Sequence, residues 1–204
     1  ESSKDKGLKR FIYASSSSIY GDCPDIPMKE VSMPYPVSPY GVTKHAGEQL
    51  CNLYWKNYGI PVISLRYFTV YGQRQRPDMA FNRFIRAILE DREITMYGDG
   101  EQTRDFTYID DIVTSNILAM NKGQNGGVYN IGGGSKISLN NAIKVLEKII
   151  GKTIKLKQME SQKGDMRHTL ADITKAKIEL GYEPIVKLEE GLTREYVWMK
   201  ETLV

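Results

Sequence analysis

The sequence has little cysteine and histidine and no long apolar run. Its two cysteines, Cys23 and Cys51, are too few for a disulfide framework and suit a reducing compartment. Neither cysteine nor either of the two histidines has metal ligands at a recognisable spacing, so no metal site is expected. No stretch approaches the roughly 18 apolar residues of a membrane span, and the polar residues 1–6 do not resemble a signal peptide. Since a net charge of +3 is too small to predict nucleic-acid binding, we expect a cytoplasmic globular protein.

Helix and strand patterns alternate in the first third of the chain. Residues 9–15 predict a buried strand, and Ser38 followed by Pro39 is typical of a helix start. This helix should end near Tyr58, and residues 61–66 predict the next strand. The alternation indicates an α/β fold with a parallel sheet. Because such a sheet needs several strands and cover on both faces, we expect the chain to be part of a longer protein.

The remaining two thirds have a less regular pattern. Helices are predicted over residues 80–90, 110–121 and 138–150, the last with a cap at Ser138. Short strands are predicted over residues 93–97 and 128–131, and a mixed α+β segment completes the chain.

Tyr40 and Lys44 lie four residues apart in a predicted helix and therefore share one face. An ammonium beside a phenol favours the phenolate, so Tyr40 could act as a general base for a hydroxyl group. The spacing alone is weak evidence, because roughly one such pair is expected by chance among the tyrosines and lysines of this chain. A second pair, Tyr196 and Lys200, is assigned to surface packing on the last helix.

Four consecutive serines, residues 15–18, come at the end of the first predicted strand. Open α/β sheets bind their ligands at the carboxyl ends of strands. A serine hydroxyl there can hydrogen-bond a substrate oxygen and share its proton with Tyr40. The alternative for any one of the four is a serine-rich turn without a chemical role.

The serine run that ends in Tyr20-Gly21, followed by residues 38–44, resembles the active site of extended short-chain dehydrogenases/reductases of the NAD-dependent epimerase/dehydratase family. Similar segments occur at residues 66–72, 98–106, 108–111, 129–132, 164–165 and 180–182. The resemblance covers nearly the whole chain. It implies that residues 1–75 are the carboxy-terminal part of a Rossmann-like, NAD-binding sheet. Residues 76–204 would mainly form a smaller mixed α+β substrate-binding domain, with some segments returning to the sheet.

The resemblance also implies an activity, an NAD-dependent nucleotide-sugar 4-epimerase acting through a 4-keto sugar. Ser16 would be the catalytic hydroxyl, Tyr40 the base and Lys44 its electrostatic partner, with Tyr40 and Lys44 binding NAD and Ser16 and Ser17 contacting a UDP-sugar. Related 4,6-dehydratases carry an acidic pair after the catalytic hydroxyl. This chain has Ser17 and Ser18 there, so a dehydratase is not expected.

Residues 74–80 bear on the identity of the sugar. Arginine forms bidentate hydrogen bonds to carboxylates, and a hexuronic acid carries a carboxylate where glucose has a hydroxymethyl group. Together with Thr69, this segment resembles UDP-glucuronate 4-epimerases more than UDP-glucose 4-epimerases. By that analogy Thr69 and Arg76 hold the uronate carboxylate. The alternative is that Arg76 forms a salt bridge within a surface loop.

The nucleotide contacts follow from the same resemblance. Arg104 would contact the diphosphate and Asp165 the ribose. Relatives often have an arginine three residues before that aspartate, where this chain has Gln162. Thr169 falls where UDP-glucose epimerases often have a bulky residue, so a small residue there would admit a differently substituted hexose.

The sequence lacks a G-x-G-x-x-G turn for the pyrophosphate of NAD. Residues 132–134 are three glycines without that spacing, and a structural role is expected for them. We therefore expect this chain alone to bind NAD poorly and to be inactive, as a fragment or a truncated product. A UDP-glucose 4-epimerase, another sugar-nucleotide enzyme of the family and a non-catalytic remnant that binds a nucleotide sugar or a partner stay open. A homodimer through the helix at residues 40–58 is expected for the complete protein.

Overall fold

Helices and strands alternate along the chain in the computed structural model, which describes residues 1–160 and 166–203. The helices are α1 (Pro39–Tyr58), α2 (Ala80–Leu89), α3 (Ile109–Lys122), α4 (Leu139–Ile150), α5 (Thr174–Leu180) and α6 (Leu188–Leu203). The strands are β1 (Phe11–Ser16), β2 (Val62–Tyr67), β3 (Val70–Tyr71), β4 (Ile94–Tyr97), β5 (Thr103–Asp105), β6 (Thr107–Tyr108), β7 (Val128–Ile131), β8 (Lys136–Ser138) and β9 (Leu156–Met159). A short 3-10 helix, Ser17–Ile19, follows β1.

Three parallel strands in the order β1-β2-β7 form the largest sheet. Ser16 pairs in register with Tyr67, and Tyr67 pairs with Ile131. The carboxyl ends of all three strands therefore meet at one edge. This sheet confirms the predicted α/β class, and its third strand, β7, pairs with β2.

Helices cover β2 on both of its faces. Ile63 and Leu65 are fully buried in a cluster with residues of α3 and α5. Arg66 points the other way and forms an ion pair with Glu48 of α1. Side chains alternate between the faces of a strand, so this division follows from the strand geometry. Burial on both faces explains the nearly continuous apolar sequence of β2.

Helix α1 begins as predicted from its sequence. The Ser38 hydroxyl accepts a hydrogen bond from the Gly41 amide at 3.1 Å, and Pro39 occupies the first turn. A Cβ at Gly41 would lie 2.4 Å from the Ser18 carbonyl oxygen, so only glycine permits this approach. The first turn of α1 is consequently held against the serine segment that follows β1.

A second core lies among α2, α4 and α6. Phe81, Ile85, Leu146, Leu192 and Met199 are almost fully buried there. The parallel strands β4 and β9 flank this core. Helix α4 is capped by Ser138, whose hydroxyl accepts from the Asn141 amide at 3.2 Å, as its sequence predicted.

Two pairs of very short strands were not predicted. β3 pairs with β6 in parallel, and β5 pairs with β8 in antiparallel orientation. Two or three residues are too few to show a strand period, so tertiary pairing alone defines them. None of the helices in the described part of the chain combines the length and apolar character that crossing a membrane requires.

Candidate active site

A cavity of about 690 Å³ lies at the carboxyl ends of β1 and β2. This volume is within the range typical of sites for small molecules. Its wall combines segments that are far apart in the sequence, from the serines after β1 to Met166. Six of the residues predicted to form the site line this one cavity: Ser16, Ser17, Tyr40, Thr69, Arg76 and Arg104.

Tyr40 lies in the first turn of α1, is 52% exposed and lines the cavity. The Lys44 ammonium lies 5.6 Å from the centre of the Tyr40 ring and donates a hydrogen bond to the Ala14 carbonyl oxygen at 2.9 Å. This bond joins α1 to β1 beside the cavity. The predicted one-turn spacing therefore gives a phenol and an ammonium side by side.

The serines at the carboxyl end of β1 are buried at the cavity wall. Ser16 and Ser17 have exposed fractions of 7% and 6%. The Ser16 hydroxyl accepts a hydrogen bond from the Ser18 amide at 3.1 Å and so caps the 3-10 helix. Accepting that bond leaves the hydroxyl proton available for donation. The serine turn and the functional hydroxyl, treated as alternatives in the sequence, are thus compatible in one residue.

A buried polar network that the sequence analysis missed supports this region. Glu48 accepts hydrogen bonds from the Ser15 hydroxyl at 2.7 Å and from Arg66 Nε and Nη2 at 3.1 and 2.5 Å. Arg66 also donates to the Tyr20 hydroxyl at 2.7 Å, which in turn donates to Asn130 at 2.7 Å. The network connects α1, the serine turn, β2 and β7, and desolvation raises the pKa of Tyr20 to about 12.

Two signals in the sequence could have revealed this network. Glu48 follows Lys44 by four residues and so falls on the same helix face. Arg66 is a charged residue in an otherwise apolar strand, and a buried charge needs a partner. Neither signal names the partner, because Glu48 and Arg66 meet only in the folded protein.

The loop after β3, residues 72–76, carries two arginines on the cavity wall. Arg76 forms an ion pair with Asp78 at 2.9 Å, and 71% of its side chain is exposed. Arg74 has a left-handed backbone with φ 65°, which is uncommon for a residue other than glycine. Thr69 lies half-buried on the same wall. Arg76 therefore has the surface ion pair foreseen as one alternative and also lines the cavity, where the carboxylate of a uronate would be held under the other.

Arg104 lies across the cavity on β5. Its guanidinium donates to the carbonyl oxygens of Thr103 and Arg167 at 2.9 and 3.4 Å. The next residue, Asp105, is fully buried and accepts hydrogen bonds from the Gly133 amide at 2.7 Å and the Ala171 amide at 3.0 Å. Burial raises the pKa of Asp105 to about 6. These bonds fix β5 against the segment that follows β7.

The three glycines at residues 132–134 have the structural role expected for them. A Cβ at Gly133 would lie 2.1 Å from the Phe106 carbonyl oxygen, and one at Gly132 would lie 2.5 Å from the Asp105 carboxylate. The absence of side chains thus allows the backbone to reach Asp105. Within residues 1–160 and 166–203, no group of three or more metal-ligand side chains is close enough to hold a metal.

Thr169 does not line the cavity. Thr169 is 1% exposed and its hydroxyl accepts a hydrogen bond from the Asp105 amide at 3.3 Å. It lies behind the cavity wall, because its side chain completes the packing around Asp105. Asp165, expected at the ribose, lies outside the described residues, as does Gln162.

The family model of the NAD dependent epimerase/dehydratase family matches residues 1–132. The chain belongs to this family. It is 44% identical over 202 residues to a UDP-glucuronate 4-epimerase of Thermodesulfobacterium geofontis, with 98% of this chain and 62% of the relative covered.

Solved structures of epimerases have the same fold. The UDP-glucuronic acid 4-epimerase from Bacillus cereus, in complex with UDP-glucuronic acid and NAD, is 49% identical with a TM-score of 0.91 over 94% of this chain and 62% of that chain. The UDP-glucose 4-epimerase of Thermotoga maritima, in complex with UDP-glucose, is 39% identical with a TM-score of 0.93 over 97% of this chain and 65% of that chain. The chain therefore spans about three fifths of the length of these epimerase/dehydratase family members.

Proposed function

We propose that the protein is an NAD-dependent nucleotide-sugar 4-epimerase. The observation that carries this proposal is the convergence of Ser16, Tyr40 and two arginines, Arg76 and Arg104, on one cavity beside Lys44. A hydroxyl, a phenol and an ammonium are suited to moving a proton at a sugar hydroxyl. The arginines are suited to the two anionic groups of a UDP-hexuronate, the carboxylate of the sugar and the diphosphate.

In this proposal, residues of the protein transfer the proton of the sugar 4-hydroxyl. The Tyr40 phenolate accepts it, Ser16 hydrogen-bonds the same oxygen, and the Lys44 ammonium stabilises the charge on Tyr40. The 4-keto sugar turns over in the cavity, and Tyr40 returns the proton to the 4-oxygen. Ser17 contacts the sugar from the same turn.

The residues present fit one end of NAD. Among the described residues, the Lys44 ammonium has a single hydrogen-bond acceptor, the Ala14 carbonyl oxygen, so two of its three N–H groups are available for ribose hydroxyls. The exposed Tyr40 hydroxyl beside it offers a further partner. When bound, NAD supplies the acceptor and donor of the hydride at the sugar C4. The chain contributes no G-x-G-x-x-G turn for the pyrophosphate.

The favoured substrate is UDP-glucuronate, with UDP-galacturonate as product. Arg76 is an exposed cation of the loop at residues 72–76, as is Arg74, and Thr69 adds a hydroxyl on the same wall. A uronate carboxylate would compete with Asp78 for Arg76 and would be desolvated in the cavity. Arg104 is proposed to contact the diphosphate and Asp165 the ribose. A UDP-glucose 4-epimerase is the second candidate, since the relative from Thermotoga maritima has the same fold.

We further propose two domains and a homodimer. Residues 1–75 would belong to the NAD-binding domain and residues 76–204 mainly to the substrate-binding domain. Helix α1 has large apolar side chains exposed on one face, Val42, Leu50 and Leu53, which a second subunit could cover. Light scattering of the full-length gene product should give a dimer, and a monomer at micromolar concentration would reject this part of the proposal.

The proposed activity can be tested with the full-length gene product, incubated separately with UDP-glucuronate and UDP-glucose and followed by NMR. We expect conversion of UDP-glucuronate to UDP-galacturonate, and loss of turnover in Tyr40→Phe. Turnover of UDP-glucose alone would retain the epimerase and reject the uronate preference. No turnover of either sugar would contradict the proposed substrates.

The Arg76 assignment has its own control, because the arginine has a surface partner. Arg76→Ala should raise KM for UDP-glucuronate by roughly tenfold or more, since a hydrogen-bonded charge pair is lost, and should affect UDP-glucose less. Asp78→Asn removes the competing ion pair but keeps Arg76, so its KM for UDP-glucuronate should equal that of the wild type or fall slightly below it. Equal effects of the two variants would mean that Arg76 acts only through its ion pair.

A further inference from the structure

Glu195 is a buried carboxyl group that the proposed mechanism does not use. It lies on α6 with none of its surface exposed, 123 residues from the loop it contacts. One of its oxygens accepts a hydrogen bond from the Gly72 amide at 3.0 Å. The other oxygen, Oε1, is buried without a hydrogen-bond partner among the described residues. Burying a carboxyl with so few partners is costly, so a packing role alone does not account for it.

Gly72 is the first residue of the cavity loop at residues 72–76, and its backbone is confined from several sides. Its φ of 130° lies in a region that favours glycine, and a Cβ there would lie 2.7 Å from Ile109 Cγ2. Its carbonyl oxygen accepts a hydrogen bond from the Gln75 amide at 3.0 Å. The Gly72 amide donates its hydrogen bond to Glu195 of α6.

Beyond Gly72, the loop is held by hydrogen bonds of two glutamine side chains. Tyr108 donates to the Gln73 side chain at 2.5 Å, and Gln75 donates to the Val70 carbonyl oxygen at 2.9 Å. Arg74 and Arg76 alternate with these two tethered glutamines and line the cavity. The tethers orient the loop only if its first peptide is fixed, because a rotation at Gly72 would carry all the following residues with it.

We propose that Glu195 is a positioning residue for the nucleotide sugar, which fixes the Gly72 amide and thereby the direction in which Arg74 and Arg76 enter the cavity. This inference rests on the proposed function, because it assigns to Glu195 a part in substrate binding. Glu195 does not touch the substrate. Its effect is expected on the binding of substrate, because Ser16, Tyr40 and Lys44 are held by other elements.

Two variants of nearly equal size test the role of the acceptor. Glu195→Gln keeps an oxygen that can accept from Gly72, whereas Glu195→Met fills the same space without an acceptor. We expect KM for the UDP-sugar to rise about tenfold in Glu195→Met, corresponding to the loss of one buried hydrogen bond, and less than about threefold in Glu195→Gln. The kcat should change less than about threefold in both.

A matched control separates positioning from loss of stability. Met199 is buried one turn further along α6 in the same core. Met199→Ala should lower the free energy of unfolding and leave KM within about twofold of the wild type. All variants are measured in the full-length gene product, with UDP-glucuronate and UDP-glucose, by steady-state kinetics and by calorimetric titration of the UDP-sugar.

The outcomes distinguish failure of the proposed function from failure of the positioning role of Glu195. If the wild type neither binds nor converts a UDP-sugar, the proposed function fails and the role of Glu195 fails with it. If the wild type is active but Glu195→Met has the same KM as Glu195→Gln, only the positioning role is rejected. A Glu195→Met protein that does not fold, or a Met199→Ala protein with an equally raised KM, also overturns it, because the effect would then be one of general stability.

Discussion

The buried ion pair between Glu48 and Arg66 should be among the costliest interactions to break in this chain. Their side chains are 4% and 6% exposed, and three hydrogen bonds converge on the Glu48 carboxylate. Replacing Glu48 by Met keeps the volume but leaves the Arg66 charge buried without its counterion. Removing one partner of a buried pair typically costs about 3 to 5 kcal/mol, which is a large part of the stability of an ordinary domain.

The assay is urea unfolding of the full-length gene product, followed by circular dichroism and tryptophan fluorescence. Glu189→Gln is the control, because Glu189 pairs with Lys148 at 2.8 Å where the two side chains are 54% and 70% exposed. An exposed pair contributes about 0 to 1 kcal/mol, so this variant should unfold almost like the wild type. The double variant Glu48→Met/Arg66→Met should lose less than the sum of the single variants, since no charge is then buried alone.

A Glu48→Met variant that loses no more free energy of unfolding than the surface control would refute the predicted cost. That result would mean that water or another group solvates Arg66 once Glu48 is gone. A loss of 3 kcal/mol or more with full recovery of kcat at low temperature would show that the network stabilises the fold without orienting Tyr40 and Ser16.

Three further predictions concern single residues. Burial raises the pKa of Glu195 to about 8 from an ordinary 4.5, so the native state keeps a proton that the unfolded chain releases. The free energy of unfolding should therefore fall by roughly 1.4 kcal/mol per pH unit between about pH 4.5 and 8. Urea titrations of Glu195→Gln should lack this slope. Parallel pH profiles for both proteins would contradict it. Tyr40→Phe should lower kcat by roughly 10²- to 10⁴-fold while the UDP-sugar still binds in calorimetry, and a kcat near that of the wild type would exclude Tyr40 as the base. Gly133→Ala places a Cβ 2.1 Å from the Phe106 carbonyl oxygen, so it should destabilise by about 1 to 3 kcal/mol in urea, and an unchanged unfolding midpoint would argue against this tight contact.

The parts of the fold that the sequence predicts well are those with local signals. Ser38 and Ser138 cap helices that begin where they were expected, because a cap and the amide it accepts from lie within one turn. The strand β2 was recognised from its apolar run. The pairing of β5 with β8 was not, because neither strand is long enough to show a period and their contact depends on the tertiary fold.

The candidate site likewise has local features that the sequence predicts and long-range contacts that it does not. The spacing of Tyr40 and Lys44 is a property of one helix, so the sequence was sufficient to place both on one face. The contact between Glu195 and Gly72 joins residues that are 123 positions apart, and nothing near either residue indicates it. Thr169 was considered from resemblance alone, and its burial against Asp105 is another contact that no local signal indicates.

The way in which the loop at residues 72–76 is held has a consequence for how the protein can evolve. The loop is held through Gly72, Gln73 and Gln75, whereas the side chains of Arg74 and Arg76 contribute little to the structure around them. Under the proposed function, a substitution of the exposed Arg76 is expected to change which sugar is accepted at little cost in folding. The residue proposed to select the sugar would then differ from those that fix the loop backbone, so a single substitution would change substrate preference without unfolding the protein.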